Sequence, residues 1–159
     1  MRIEETTASD WHWIESNSDP LGGPRVVSHG TLHTLREHNG LVAWEDNTRV
    51  GFAVYREIDD KEVELLAILA TVQWRGIGST LMTFVEELLR EQGVKNLWLC
   101  TTNDNLSALQ FYQTRGYRLK ALRTNAFREV QRLKDLPEEN VIGQHGIVIR
   151  DELTLAKDL

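Results

Sequence analysis

Residues 62–89, EVELLAILATVQWRGIGSTLMTFVEELL, constrain this chain more than any other stretch. Glu62 and Glu64 open it, and six uninterrupted apolar residues follow at 65–70. Such a run suits a strand covered on both faces. Gln73-Trp74-Arg75-Gly76-Ile77-Gly78 then packs two glycines into a turn. Beyond it, Leu81, Phe84, Val85, Leu88 and Leu89 recur at helical spacing and predict one apolar stripe. A strand that passes through a glycine turn into a helix start is an anion site in outline. The first N–H groups of a helix lack acceptors there, and the helix dipole favours negative charge. The stretch predicts a phosphate-bearing ligand.

The flanking sequence sets a mixed order of elements. Residues 8–17 predict a short helix capped by Ser9 or Asp10, with Trp11 and Ile14 on one face. Residues 16–24 are dense in Ser, Asn, Asp, Pro and Gly, and read as a cleft border or a plain connector. Residues 26–35 fit an extended or a helical reading. Two β-rich runs, 41–44 and 49–55, flank a Glu45-Asp46-Asn47-Thr48 turn and predict a hairpin. Gly51 within the second run predicts a bulge or a close backbone approach. With a further turn at Asp59-Asp60-Lys61, three antiparallel strands precede the glycine turn. Gly93 is expected just past the long helix. Residues 96–102 predict a strand parallel to 65–70 through a right-handed crossover. Asn103 to Asn105 supply the cap of a helix over 106–115 that stops at Gly116. A strand over 117–122, a short helix over 126–133 and a final strand beginning over 146–150 complete an α/β chain.

Composition narrows the classes. At 159 residues the chain is expected to be one domain spanning 1–159. An apolar fraction of 41% and a charged fraction of 26% are those of a soluble globular protein. A formal net charge of −6 argues against nucleic acid and anionic membrane as partners and suits a cationic or amine substrate. The single cysteine, Cys100, excludes an internal disulfide, suits a cytoplasmic location, and reads as inert core in an apolar strand. No signal peptide and no bilayer-spanning run is legible. The five histidines (His12, His29, His33, His38, His145) show no metal-ligand spacing, so no metal is expected.

The glycine turn is neither a dinucleotide fingerprint, because a third glycine is missing, nor a Walker loop, because Gly-Lys-Ser/Thr is missing. Gln73-x-x-Gly76-x-Gly78, after a strand and before a helix, resembles the acetyl-CoA pyrophosphate motif of the GNAT acetyltransferase superfamily. A second block, Asn105-x-x-Ala108-x-x-x-Tyr112-x-x-x-Gly116-Tyr117, is similar to that family's later Asn/Ala/Tyr/Gly pattern. Together the blocks cover roughly residues 41–122, about half of the chain.

The resemblance implies a GNAT-like central mixed β-sheet, flanked by helices, whose two parallel central strands splay around the cofactor. The pantetheine arm would pair with the main chain of Leu66, Ala67 and Ile68. The pyrophosphate would rest at Gln73, Trp74, Arg75, Gly76, Ile77, Gly78 and Ser79, and Asn105 would contact the arm. The implied reaction is acetyl transfer from acetyl-CoA to a primary amine of a small molecule or peptide, by direct attack in a ternary complex. Alkyl ammonium groups titrate near 10.4, so a base is useful, and an acid is useful for the departing thiolate. Glu62 stands eleven residues before Gln73, the spacing of the family's general-base glutamate, and Glu64 shares its strand face. Tyr112 occupies the position of the proton donor. A backbone N–H near Leu66 would meet the thioester oxyanion. Asp151 and Glu152, with His145 nearby, are candidates for receiving a cationic acceptor. A non-catalytic acyl-CoA-binding domain and a transferase of longer acyl groups are the alternatives, and a homodimer is compatible with either.

Overall fold

In the computed structural model, which describes residues 1–73 and 75–159, thirteen helices and strands follow one another. They are β1 (Arg2–Glu5), α1 (Ala8–Ser16), β2 (Arg25–Ser28), β3 (Thr31–Thr34), β4 (Asn39–Glu45), β5 (Thr48–Glu57), β6 (Glu62–Ala70), α2 (Ile77–Glu91), β7 (Asn96–Thr102), α3 (Leu106–Thr114), β8 (Arg118–Arg123), α4 (Ala126–Leu133) and β9 (Glu152–Asp158). The fold is mixed α/β, as expected. Two units divide the chain: residues 1–26, 33–97 and 159 in the first, and residues 27–32 and 98–158 in the second.

In the first unit β1, β4, β5 and β6 lie side by side in that order, all antiparallel. Asp46, at φ 53°, closes the predicted hairpin. Alternating side chains then bury Ile14, Leu35, Val42, Phe52, Val54 and Ala67 in one core, with Trp11, Trp13 and Leu66 packed against it. Each such fully buried aliphatic or aromatic side chain contributes about 1.5–3 kcal/mol. Gly51 is a close approach: a Cβ there would lie 2.9 Å from the Leu69 carbonyl oxygen and 2.9 Å from Ile77 Cγ2. That contact lets α2 sit down on β5 and β6. Its buried face is Ile77, Leu81, Met82, Val85 and Leu89, so the stripe is rotated from the one predicted and leaves Phe84 and Leu88 half-buried. Gly93, at φ 83°, ends the helix as anticipated.

One expectation here is corrected, and one strand went unread. The cap of α1 is Thr7, whose backbone is extended at φ −112°, ψ 175°. Asp10 instead reaches back to accept the Thr7 N–H at 2.8 Å, as the third residue of a capping box. The edge strand β1, mostly exposed and charged at three of its four residues, gave no alternation to read.

In the second unit the order is β7, β9, β8. β8 and β9 are antiparallel, from Arg118 opposite Ala156 to Arg123 opposite Glu152. The final strand therefore starts at Glu152, not at residue 146. Residues 148–151 are taken by a loop clamp: Asn103 Nδ2 donates to the Val148 carbonyl at 3.0 Å, and its Oδ1 accepts the N–H groups of Arg150 and Asp151 at 2.9 and 3.0 Å. Residues 25–28 and 31–34 are extended. They form the short β2–β3 pair, whose turn holds His29 at φ 47° and Gly30 at φ 75°.

Candidate functional site

The candidate residues fall on both units. In the first, β6 carries the backbone template. Tyr55 pairs with Leu65 and Val54 with Ala67, so Leu66 is an additional residue opposite β5. A bulge of this kind turns the N–H and C=O of the extra residue out of the ladder. Gly76, at φ 70°, is the N-cap of α2, and no side chain caps that helix. Thr80 N–H donates to the Gly76 carbonyl at 3.0 Å. The N–H groups of Ile77, Gly78 and Ser79 before it have no acceptor within the helix. A Cβ at Gly76 or Gly78 would meet nothing within 4 Å among the described residues. Beside them, Ser79, Thr80, Thr83, Phe84 and Glu87 line a shallow groove of about 290 Å³. A pyrophosphate fits such a start, because donors, dipole and room coincide. Arg75, half-exposed, sits 2.7 Å from Glu45 Oε2, so its charge is shared with that carboxylate. Gln73 is exposed. Trp74 lies outside the described residues.

The two glutamates differ. Glu64 is buried, and its carboxylate accepts from Arg56 Nε at 2.6 Å. Glu62 is half-buried at the turn into β6, where its N–H donates to Asp59 Oδ1 at 2.8 Å. A strand rises about 3.3 Å per residue, so Glu62 begins roughly 13 Å of strand before Leu66, and Glu64 roughly 7 Å. Sequence gave no hint that histidines would gather near Arg56. Burial, then the charge of Arg56, then His38 hold His33 below the ordinary histidine value. His38 is lowered by burial and Arg56 against the pull of Glu37.

In the second unit, Asn105 Oδ1 accepts the Ala108 N–H at 3.2 Å and its Nδ2 donates to Thr101 Oγ1 at 3.1 Å. The side chain thus fixes the start of α3. Tyr112 is buried against Phe111 and Tyr117, and burial pushes its hydroxyl well above the usual tyrosine value. A phenol in that state stays protonated at neutral pH and is a hydrogen-bond donor.

The region around Glu152 holds a cluster that spacing could not reveal. Glu152 is buried and accepts from Arg123 Nη1 at 3.2 Å. Arg123 Nη2 also donates to Glu129 Oε2 at 3.0 Å. His29 Nε2 lies 3.0 Å from Thr154 Oγ1, and its ring stacks on Trp98 at 4.7 Å. Cys100 is half-buried rather than sealed in an apolar interior: Ser28 Oγ donates to its sulfur at 3.5 Å, and Thr154 Oγ1 lies 3.5 Å away. Asp151 instead accepts the Asn125 N–H at 2.9 Å, and His145 is exposed. Donor atoms of His29, Cys100 and Glu152 lie within 4.8 Å of one another. Arg123 already meets the Glu152 carboxylate, so the positive charge a metal would bring is supplied by a side chain.

Comparison with known proteins gives the family. The acetyltransferase (GNAT) family matches residues 6–117. Uncharacterized protein YxbD of Bacillus subtilis (strain 168) is 37% identical over 139 residues, covering 87% of this chain and 86% of that one. The [ribosomal protein bS18]-alanine N-acetyltransferase of Haemophilus influenzae is 33% identical over 100 residues, 59% of this chain and 68% of its own length. A GNAT family acetyltransferase from Elizabethkingia anophelis, solved with acetyl-CoA bound, superimposes with a TM-score of 0.73 at 23% identity, covering 99% of this chain and 97% of that one. With the family matched across more than half its length, the chain belongs to the acetyltransferase (GNAT) family.

Proposed function

We propose that this chain transfers an acetyl group from acetyl-CoA to a primary amine of a small molecule or peptide, by direct attack in a ternary complex. The observation that carries the reading is the start of α2: uncapped, open beside Gly76 and Gly78, and reached directly from a strand bulged at Leu66. Acetyl-CoA supplies an activated acyl carbon and a thiolate leaving group. The protein's part is to hold it and to manage protons. The N–H groups of Ile77, Gly78 and Ser79, with Arg75 and Gln73, take the pyrophosphate. The main chain of Leu66, Ala67 and Ile68 orients the pantetheine arm, and the bulged N–H of Leu66 faces charge that develops on the carbonyl oxygen. Tyr112 gives a proton to the departing sulfur, held in place by an α3 whose start Asn105 fixes. Of the β6 carboxylates, Glu64 is buried against Arg56, and Glu62 and Glu64 are both glutamates to test for the base. The Haemophilus influenzae relative, named for an alanine N-acetyltransferase, supports a nitrogen acceptor, and the Elizabethkingia anophelis neighbour supports the donor.

A panel of amines tested for acetyl-CoA-dependent thiol release decides the matter. Release that rises with amine and matches N-acetylated product is the expected outcome. A chain that binds acetyl-CoA and releases thiol with none of the amines is a binding module.

A further inference from the structure

The apolar core of the first unit ends in a polar patch on one face of its sheet. Phe52 and Val54 alternate onto the face of β5 that packs with Ile14 and Leu35. Gly51, on the opposite face, meets α2. The next residue on the core face is Arg56, which stands across from Glu64 on β6. Leu35 opens a single 3-10 turn over residues 35–37, and its seat in the core brings the flanking His33 and His38 near Arg56. The two rings lie edge to face at 5.6 Å. Arg56 is also one residue beyond Tyr55, and the Leu66 bulge lies opposite the step from Val54 to Tyr55. The patch therefore borders the bulge, on the neighbouring strand of the same unit.

This patch is short of acceptors. Arg56 Nε donates to Glu64 Oε1 at 2.6 Å, and its Nη1 and Nη2 have no hydrogen-bond partner among the described residues. His33 is buried, and its Nε2 has no partner among them either. Buried polar atoms are nearly always paired, so an orphan of this kind calls for a ligand or another cause. Arg56 keeps 27% of its side chain exposed while Glu64 keeps 1%, so the patch opens to solvent on the guanidinium side. The charges around the rings are Arg56 from β5, Glu64 from β6 and Glu37 beside His38. Burial and Arg56 hold both imidazoles below the ordinary histidine value, so both are neutral near pH 7 and both feel the positive end of the ion pair. A cation would be repelled there. A phosphate dianion asks for more positive charge than one paired guanidinium and two neutral rings supply. A carboxylate is planar and singly charged, and it matches two N–H groups on one edge of a guanidinium.

We infer that Arg56 and His33 hold a carboxylate of the acceptor, so that the acceptor is an amino acid rather than a plain alkylamine. The inference rests on the acetyl-transfer reading above. The carboxylate accepts from Nη1 and Nη2 of Arg56 and from the Nε2–H of His33, and Glu64 on Nε keeps the guanidinium from turning away. An anion in that position favours the charged imidazole, so its binding draws the His33 titration upward.

The test titrates the whole chain with a panel of N-acetyl amino acids and their matching amides, which differ only in the carboxylate. Calorimetry reads the affinity, and the His33 ring resonances read the titration. At least one acid should bind about ten- to a hundredfold more tightly than its amide and raise the His33 pKa. His33→Leu removes the orphan nitrogen, and Arg56→Lys keeps a charge for Glu64 without the fork. Each should weaken the acid by about tenfold and leave the amide unchanged, while the exposed control His12→Gln alters neither. A panel in which no acid outbinds its amide overturns the inference, as do both variants binding the acid like the wild type. Turnover separates this inference from the reading beneath it. Amino acids acetylated no better than alkylamines of the same chain length overturn the inference alone. Acids that bind while no amine is acetylated overturn the acetyl-transfer reading and leave the carboxylate site standing.

Discussion

Replacing Gly78 with aspartate should push stability and binding in opposite directions. Gly78 is the second residue of α2, and a Cβ there meets nothing within 4 Å among the described residues. Glycine in a helix costs about 0.5–1 kcal/mol relative to alanine. An acid in the first turn contributes about 0.3–1 kcal/mol through the helix dipole. The variant should be more stable by about 0.5–1 kcal/mol, which for a chain of this size raises Tm by about 1–4 °C. The same carboxylate would stand about 5 Å from a pyrophosphate at the helix start. One such charge pair is worth roughly 3 kcal/mol at an effective dielectric of 20, and under 1 kcal/mol in water. With solvent at the turn, a penalty of about 2 kcal/mol is expected, roughly a thirtyfold loss of acetyl-CoA affinity. Calorimetric titration should show that loss, partly relieved as salt screens the pair. Gly76 is the poorer probe, because its φ of 70° adds backbone strain to any substitution. A folded Gly78→Asp protein that binds acetyl-CoA as tightly as wild type refutes the placement of the pyrophosphate.

Three further outcomes follow from other parts of the chain. Gly51→Ala should destabilise by about 1–3 kcal/mol, since the new methyl meets the Leu69 carbonyl at 2.9 Å; an unchanged urea midpoint would show that α2 does not need that approach. Tyr112→Phe should keep acetyl-CoA affinity and lose about a hundredfold in thiol release, and unaltered release would remove Tyr112 from proton transfer. Asp10→Asn carries a pH signature. Burial pulls the Asp10 carboxyl up, but the Thr7 N–H and Arg49 outweigh it, and the net shift is below the usual value. A carboxylate depressed in the folded state stabilises above its unfolded pKa of about 3.9 and loses that contribution as pH falls through the folded value. The variant should therefore cost about 1 kcal/mol at neutral pH, with a difference that fades below about pH 4; a constant difference down to pH 3 would contradict the capping role.

What sequence made legible was local chemistry of short range. The helix stops at Gly93 and Gly116, the cap at Asn105 and the short helix Ala126–Leu133 each depend on residues within a turn of one another, and each is where the spacing put it. The glycine turn was legible for the same reason. Competition went unread. The 146–150 run looked like a strand, but Asn103, distant in sequence, takes its backbone groups. Thr7 won the α1 cap because Asp10 does more by reaching back than by starting the helix. The Glu64 to Arg56 pair depends on strand register, which apolar patterning alone does not set. His29, Cys100, Glu152 and Thr154 come from three separated stretches, and no spacing rule could join them.

Calorimetric titration of the wild-type chain with acetyl-CoA tests most directly whether the open helix start after β6 is a donor site. One equivalent should bind, with a rise in melting temperature, and Gly78→Asp should weaken it while remaining folded. A wild-type chain that takes up no acetyl-CoA, and whose melting temperature no CoA species raises, would leave that helix start without its ligand and remove the basis of the acetyl-transfer reading.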